Sequence, residues 1–177
     1  MNDEKLGNKH PRVDAIDLSH WQVVDDDRQE VIDEWSNLFL VMHKFSQGVS
    51  YEDPTAPPRE ALADKIPTST VWNGYHLYEW EKDAGYQGVS ERTHAIDVAA
   101  ELMEPGDIFT LDLENSEIEG AIKAVTAEVA AYRLFNTLKE AQRRLRCIPW
   151  IYASWRGLRR FGPKLLTPLL QRFPDLG

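Results

Sequence analysis

Five short segments rich in β-branched and aromatic residues, each followed by a stretch of helical periodicity, constrain this chain more than any other feature. The segments are 13–18, 39–45, 71–78, 108–113 and 148–153, and their length and composition are those of buried strands. The helical stretches are 28–35, 58–65, 90–103, about 117–144 and 158–172. Ser90 supplies an N-cap for the third, and Pro105-Gly106 stops it. In the fourth, Ile122, Val125, Val129, Tyr132, Phe135 and Leu138 recur at helical spacing and predict one buried stripe. Five βα units in series predict an α/β fold with a parallel sheet, its helices placed outside by right-handed crossovers. The order fits the start of a TIM-like (β/α) barrel and equally a five-unit flavodoxin-like sheet.

The chain has 177 residues, enough for one domain with a real core. The sequence divides into a polar extension, 1–12, and a domain, 13–177. The extension lacks the apolar stretch of a secretory signal, so synthesis in the cytoplasm is expected unless targeting is supplied otherwise. No apolar run approaches the roughly 20 residues of a membrane helix, so no membrane insertion is expected. A net charge of -9 argues against nonspecific nucleic-acid binding, which depends on basic contacts to phosphate. Cys147 is the single cysteine. It has no partner for an internal disulfide, and its apolar neighbours predict a buried thiol. The histidines are scattered, and no phosphate loop, His-Glu-x-x-His or Gly-x-Ser-x-Gly motif is present. No cofactor and no metal are therefore expected.

In either α/β architecture, sites gather at the C-terminal ends of strands. The fourth segment ends Thr110-Leu111-Asp112-Leu113-Glu114. Alternation puts Thr110, Asp112 and Glu114 on one face, with the two carboxylates about 7 Å apart along the strand. Like charges so placed push one pKa upward and equip one carboxyl as a proton donor. The competing reading is a polar strand end balanced by a neighbouring cation, with Lys44 the obvious partner. Asp17, near the end of the first segment, points to the same end of the sheet, followed by Ser19, His20 and Gln22 in the loop. The third segment ends Tyr75-His76-Leu77-Tyr78, and the fifth Tyr152-Ala153-Ser154-Trp155. His76 is either an acid–base group or a satisfied hydrogen-bonding residue. Tyr152 offers a hydroxyl at the rim and Trp155 a stacking surface.

Taken in order, these strand ends resemble family 25 glycoside hydrolases, the lysozymes of bacteria and phages. Asp17-Leu18-Ser19-His20-Trp21-Gln22 is similar to that family's opening Asp-x-Ser-x-x-Gln. Lys44 to Gly48 with Tyr51 and Asp53-Pro54 resembles its second-strand segment, and Gly74-Tyr75-His76 its Tyr-His-aromatic strand. Asp112-Leu113-Glu114 resembles its catalytic Asp-x-Glu, and Ile151-Tyr152-Ala153-Ser154 its fifth strand. The resemblance covers nearly the whole chain. It implies a (β/α) barrel that hydrolyses the β-1,4 bond between N-acetylmuramic acid and N-acetylglucosamine at the bacterial cell wall. It further implies Glu114 as general acid, Asp112 as the group that assists the substrate acetamide, and Asp17 as a residue that binds substrate or tunes the pair. Lys44, Tyr75, Tyr78, Tyr152, Trp155 and Gln22 would contact the glycan strand.

The sequence departs from the family twice. Ser46-Gln47-Gly48 stands where the family has Thr-Glu-Gly, so an acidic side chain is missing near the cleft. The family also continues with three further strands that close the barrel. Without them the first and fifth strands present edges, which a partner chain or self-association would cover. The alternative function is accordingly a non-catalytic glycan-binding or structural module on the same fold. A flavodoxin-like nucleotide binder would need a phosphate loop after the first strand, and Ser19-His20-Trp21 is a poor candidate for one.

Overall fold

The computed structural model describes residues 15–19, 38, 40–63, 71–79, 89–114 and 127–154, with short stretches at 162–164, 167–168 and 170–171. The expected 1–12 extension, the expected helix 28–35, and the side chains of His20, Gln22 and Trp155 lie outside the described residues. In chain order the elements are β1 (Ala15–Leu18), β2 (Leu40–Gln47), β3 (Tyr51–Glu52), α1 (Ala56–Ala63), β4 (Val71–Leu77), α2 (Val89–Leu102), β5 (Ile108–Leu113), α3 (Ala127–Leu145) and β6 (Ile148–Ala153). The described residues of the last expected helix, 158–172, are helical.

The five principal strands pair in parallel in the order β1-β2-β4-β5-β6. Each βα unit therefore adds its strand to the same growing edge. A flavodoxin-like sheet would instead run 2-1-3-4-5 and place helices on both faces. The observed order is that of a (β/α) barrel, and among the described residues β1 and β6 do not pair, so the sheet is not closed. The short β3 folds back antiparallel onto the end of β2. Gly48, with φ +56° in the left-handed region, makes the turn between them.

One face of the sheet carries the core. Phe45, Phe109, Leu111 and Leu113 join Ala95, Ile96 and Ala99 of α2 and Ala130, Leu134, Leu138 and Ala141 of α3 in one buried cluster. The buried stripe of α3 thus runs through Ala130, Leu134, Leu138, Ala141 and Leu145. The expected stripe is corrected only at Tyr132: Ile122 and Val125 lie outside the described residues, and Phe135 packs against the cluster from its margin. Leu138 belongs to both, but Tyr132 stands 45% exposed. Alanines occupy the buried positions because small side chains let the helix lie close to the strands. Gly74 serves the same close packing, since a Cβ there would fall 2.9 Å from Phe45 Cδ1 and 3.2 Å from Met103 Sδ. Cys147 is buried as expected, and burial pushes its thiol up to about 12.

Parallel register carries the other face across the sheet in rows. Asp17 is level with Met42 and Asn73. Lys44, Tyr75, Thr110 and Trp150 form the next row. Gln47, Leu77, Asp112 and Tyr152 form the row nearest the C-terminal strand ends. Between Lys44 and Ser46 a bulge shifts the register of β2. It turns Phe45 and Ser46 both toward the helices and returns Gln47 to the row of Asp112.

Candidate active site

The face that carries no helix among the described residues gathers its chemistry around Tyr75. The Tyr75 hydroxyl is hydrogen-bonded to the Asp17 side chain, and it also reaches the Leu18 carbonyl at 3.4 Å. Burial, the charges of Asp17 and Asp112, and that hydrogen bond all hold the Tyr75 phenol above its ordinary pKa. The phenol thus remains a proton-bearing donor throughout the physiological range. Asp17 has an exposed side chain. Protein walls nevertheless strip enough water from its carboxyl to raise its pKa, against the lowering effects of the Tyr75 hydroxyl and the Leu18 backbone.

Asp112 is 8% exposed, and its backbone carbonyl accepts from the Tyr78 amide at 3.0 Å. Burying a charged strand-end side chain is costly unless its surroundings compensate. Glu114 lies one residue beyond the end of β5 and is exposed. Below this pair, Thr110 donates to Asn73 Oδ1 at 2.7 Å and closes the polar layer under the site.

Lys44 is bonded on the β2 side of the site. Its ammonium donates to Gln47 Oε1 at 3.3 Å and sits 5.3 Å from the centre of the Tyr51 ring. Gln47 Nε2 in turn donates to Glu79 Oε1. Glu79 is a rim carboxylate absent from the sequence-based set. Its signal was available: Tyr75, Leu77 and Glu79 share one parity beyond the strand end.

Two expected residues lie elsewhere. Tyr78 is fully buried. Its ring stands edge-on to His76 at 5.9 Å, and its hydroxyl pKa is raised by burial and by the charge of Glu91 on α2. The assignment of Tyr78 to a glycan-contacting surface is therefore corrected, because its parity turns it into the helix layer. His76 lies in the helix layer rather than at the open strand-end face, with a hydrogen bond at Nδ1 alone. It is fully buried, with Nδ1 2.7 Å from Ser46 Oγ and Nε2 3.5 Å from Glu91 Oε1. Burial lowers its pKa, opposed by Glu91. Tyr152, on the open side of β6, is 52% exposed.

A second buried network fixes the ends of β1 and β2 from the helix side. Arg59 of α1 donates from Nη1 to the Ser19 carbonyl at 2.9 Å and to His43 Nε2 at 2.6 Å. His43 therefore carries its proton on Nδ1, which donates to the Lys44 carbonyl at 2.5 Å. The His43 ring stacks on Trp72 with centroids 5.9 Å apart. Burial lowers the His43 pKa to about 4, with the Lys44 carbonyl opposing and the Arg59 charge reinforcing the shift. Asp53 completes the corner by accepting from the Thr55 amide at 3.0 Å and the Thr55 hydroxyl at 2.7 Å, a turn that leads into α1. Among the described residues, no group of three His, Cys, Asp or Glu side chains is arranged to hold a metal ion.

Three solved structures share this architecture. A family 25 glycosyl hydrolase from Bacillus anthracis matches with a TM-score of 0.58 and 14% identity, over 83% of this chain and 63% of that one. The bacterial lysozyme from Streptomyces coelicolor matches at 0.62 and 15%, over 85% and 67%. The modular Cpl-1 endolysin, complexed with a peptidoglycan analogue, matches at 0.53 and 13%, over 92% and 42%. The fold is thus that of the family 25 lysozymes, and the chain spans 63% of the length of the first of them. No protein-family model and no curated protein matches the sequence.

Proposed function

We propose that this chain is a peptidoglycan hydrolase of the muramidase type, acting at the bacterial cell wall on the β-1,4 bond between N-acetylmuramic acid and N-acetylglucosamine. The observation that carries this reading is that Asp17, Tyr75 and Asp112 share one face of the sheet, with the Tyr75 phenol bonded to Asp17 and raised by the charges of both carboxylates. The group lies at the C-terminal strand ends, where barrel enzymes place their chemistry.

In the proposed reaction Glu114 is the general acid. It gives its proton to the glycosidic oxygen as the C1–O bond breaks, and the substrate's own acetamide oxygen closes on C1. Positive charge then grows on the acetamide nitrogen. Asp112, held in a largely buried position, orients that N–H and stabilises the charge, an interaction strengthened by low local dielectric. A water molecule next attacks C1, the Glu114 carboxylate takes its proton, and ring opening of the cyclic intermediate restores the acetamide. Asp17 acts through Tyr75, fixing a donor beside the reacting sugar. Tyr152 and Lys44 line the flanks of the cleft, and Gln22 and Trp155 are assigned to it from sequence alone.

The proposal is tested by the loss of turbidity of purified cell walls with wild type and Glu114→Gln. Clearing by wild type and its loss in the variant is expected. Equal clearing by both, or binding by both without clearing, refutes it in favour of the non-catalytic glycan-binding module. The half-exposed Tyr152 on β6, a strand that pairs only with β5 among the described residues, is the observation that favours that second reading. Among the described residues, no helix is long and apolar enough to cross a membrane.

A further inference from the structure

The polar chain on the β2–β4 side of the site has a construction of its own. Lys44 donates to the Gln47 carbonyl oxygen, which fixes the orientation of the amide. The amide nitrogen must then point at its other neighbour, and it donates to Glu79. Gln47 stands in the same cross-strand row as Asp112, two strands away, or about 10 Å at ordinary strand spacing. That separation brings it within reach of a sugar ring next to the one whose linkage lies at Asp112.

Glu79 itself is held from behind. Its backbone amide donates to Oε1 of Glu91 at 2.7 Å, and Glu91 is fully buried on α2. The same Glu91 oxygen faces His76 Nε2 at 3.5 Å, and His76 Nδ1 meets Ser46 Oγ. His76 thus stands between the Ser46 hydroxyl and the Glu91 carboxylate in the buried layer behind the rim. A buried carboxylate is expensive to desolvate unless it is well bonded. This one spends a bond on the main chain of a residue just past the strand end, where main-chain position is otherwise set by the loop. Beside the pair, His94 of α2 bonds the Tyr51 carbonyl at 3.0 Å, anchoring the strand that presents the Tyr51 ring.

The result is an exposed carboxylate, an oriented amide and an aromatic ring on one rim. A carboxylate has acceptor capacity for about four hydrogen bonds, and Gln47 takes one of them. We propose that Glu79 and Gln47 form a glycan-contacting subsite, in which the Glu79 carboxylate accepts hydrogen bonds from the hydroxyl or amide N–H groups of an N-acetylhexosamine ring adjoining the cleaved linkage, with Glu91 as its positioning residue. This rests on the muramidase reading for the identity of the sugar polymer.

The experiment compares wild type with Glu79→Gln on purified cell-wall sacculi. Two readouts are taken, co-sedimentation with the sacculi and release of reducing ends. An apparent KM raised about tenfold, with kcat within about twofold, is expected for loss of a charge-assisted bond made to bound substrate throughout the reaction. Co-sedimentation should weaken to match, with thermal stability unchanged because the side chain is exposed. Gln47→Glu should raise KM similarly by setting two carboxylates against each other. If wild type sediments without releasing reducing ends, the catalytic reading fails. Weaker sedimentation of Glu79→Gln then supports the subsite by itself, and equal sedimentation overturns it. Wild-type turnover with Glu79→Gln indistinguishable from it overturns the subsite and leaves the catalytic reading standing. Absence of both binding and release by wild type overturns both.

Discussion

Acidification should destabilise this fold through one histidine, by an amount the structure sets. His43 is fully buried, and its pKa is lowered from 6.5 to about 4. Arg59 donates to Nε2, so a proton on that nitrogen would set two cations against each other in a buried site. Asp53, whose charge opposes the shift, and Lys44, whose charge reinforces it, complete its charged surroundings. The folded state therefore favours neutral imidazole. Above pH 6.5 both folded and unfolded chains carry the neutral ring, and the full stability is present. As pH falls through 6.5 the unfolded chain takes up the proton first, and stability is lost until the folded ring titrates near 4. A gap of roughly 2.5 pH units at 1.36 kcal/mol each is worth about 3 kcal/mol. That is a large share of the 5–15 kcal/mol typical of a domain. His76, also lowered by burial, adds to the same side. Urea unfolding followed by tryptophan fluorescence from pH 7.5 to 4 measures this loss. His43→Gln keeps an acceptor for Arg59 but cannot titrate, so subtracting its curve cancels every other group. Wild type should lose about 3 kcal/mol more than the variant across that window. Parallel curves would refute the assignment of His43 as a buried neutral acceptor.

Three further outcomes follow from the packing and the site. Gly74→Ala should cost about 1–3 kcal/mol by overpacking, because the added methyl meets Phe45 and Met103; a midpoint of chemical denaturation equal to wild type would contradict it. Tyr75→Phe removes a hydrogen bond that lowers Asp17, so the Asp17 carboxyl should titrate still higher by carbon-detected NMR, and an unmoved titration would break the Asp17–Tyr75 link. Cys147, with its thiol pushed up to about 12, should react with iodoacetamide at pH 8 at least about a hundredfold more slowly folded than in urea; comparable rates would place it outside the core.

The fold was legible where strands are short and framed by clear breakers. β5 and β6 occupy the expected 108–113 and 148–153 without change, because Gly106 before β5 and the end of a long helix before β6 leave no other register. The Tyr75 face was legible as far as period two holds, which brought Asp17, Tyr75 and Asp112 together. It failed in two ways. On β4, Tyr78 is expected to contact the glycan, whereas its parity sends it beneath the sheet and brings Glu79 to the rim. On β2, the bulge after Lys44 breaks the alternation. Nothing local in Lys44-Phe45-Ser46-Gln47 announces it, since a bulge is settled by the neighbouring strand and the helices. The helical stripe of α3 goes astray at Tyr132 for a related reason. A large residue dominates a hydrophobic count, whereas the close approach to the strands is made by Ala130, Leu134, Leu138 and Ala141. The corner of Arg59, His43 and Ser19 was beyond sequence reading because it depends on where α1 lands.

The central claim, that the carboxylates on the Tyr75 face cleave glycan by a muramidase reaction, is tested most directly by the identity of the sugar left at the new reducing end. Purified cell walls would be digested, reduced with borohydride and hydrolysed to their amino-sugar alcohols. The account predicts muramitol from wild type, with its formation slowed about 10²–10⁴-fold by Glu114→Gln, the range for loss of a general acid. Glucosaminitol in its place, no new reducing ends, or equal muramitol from wild type and Glu114→Gln would contradict it.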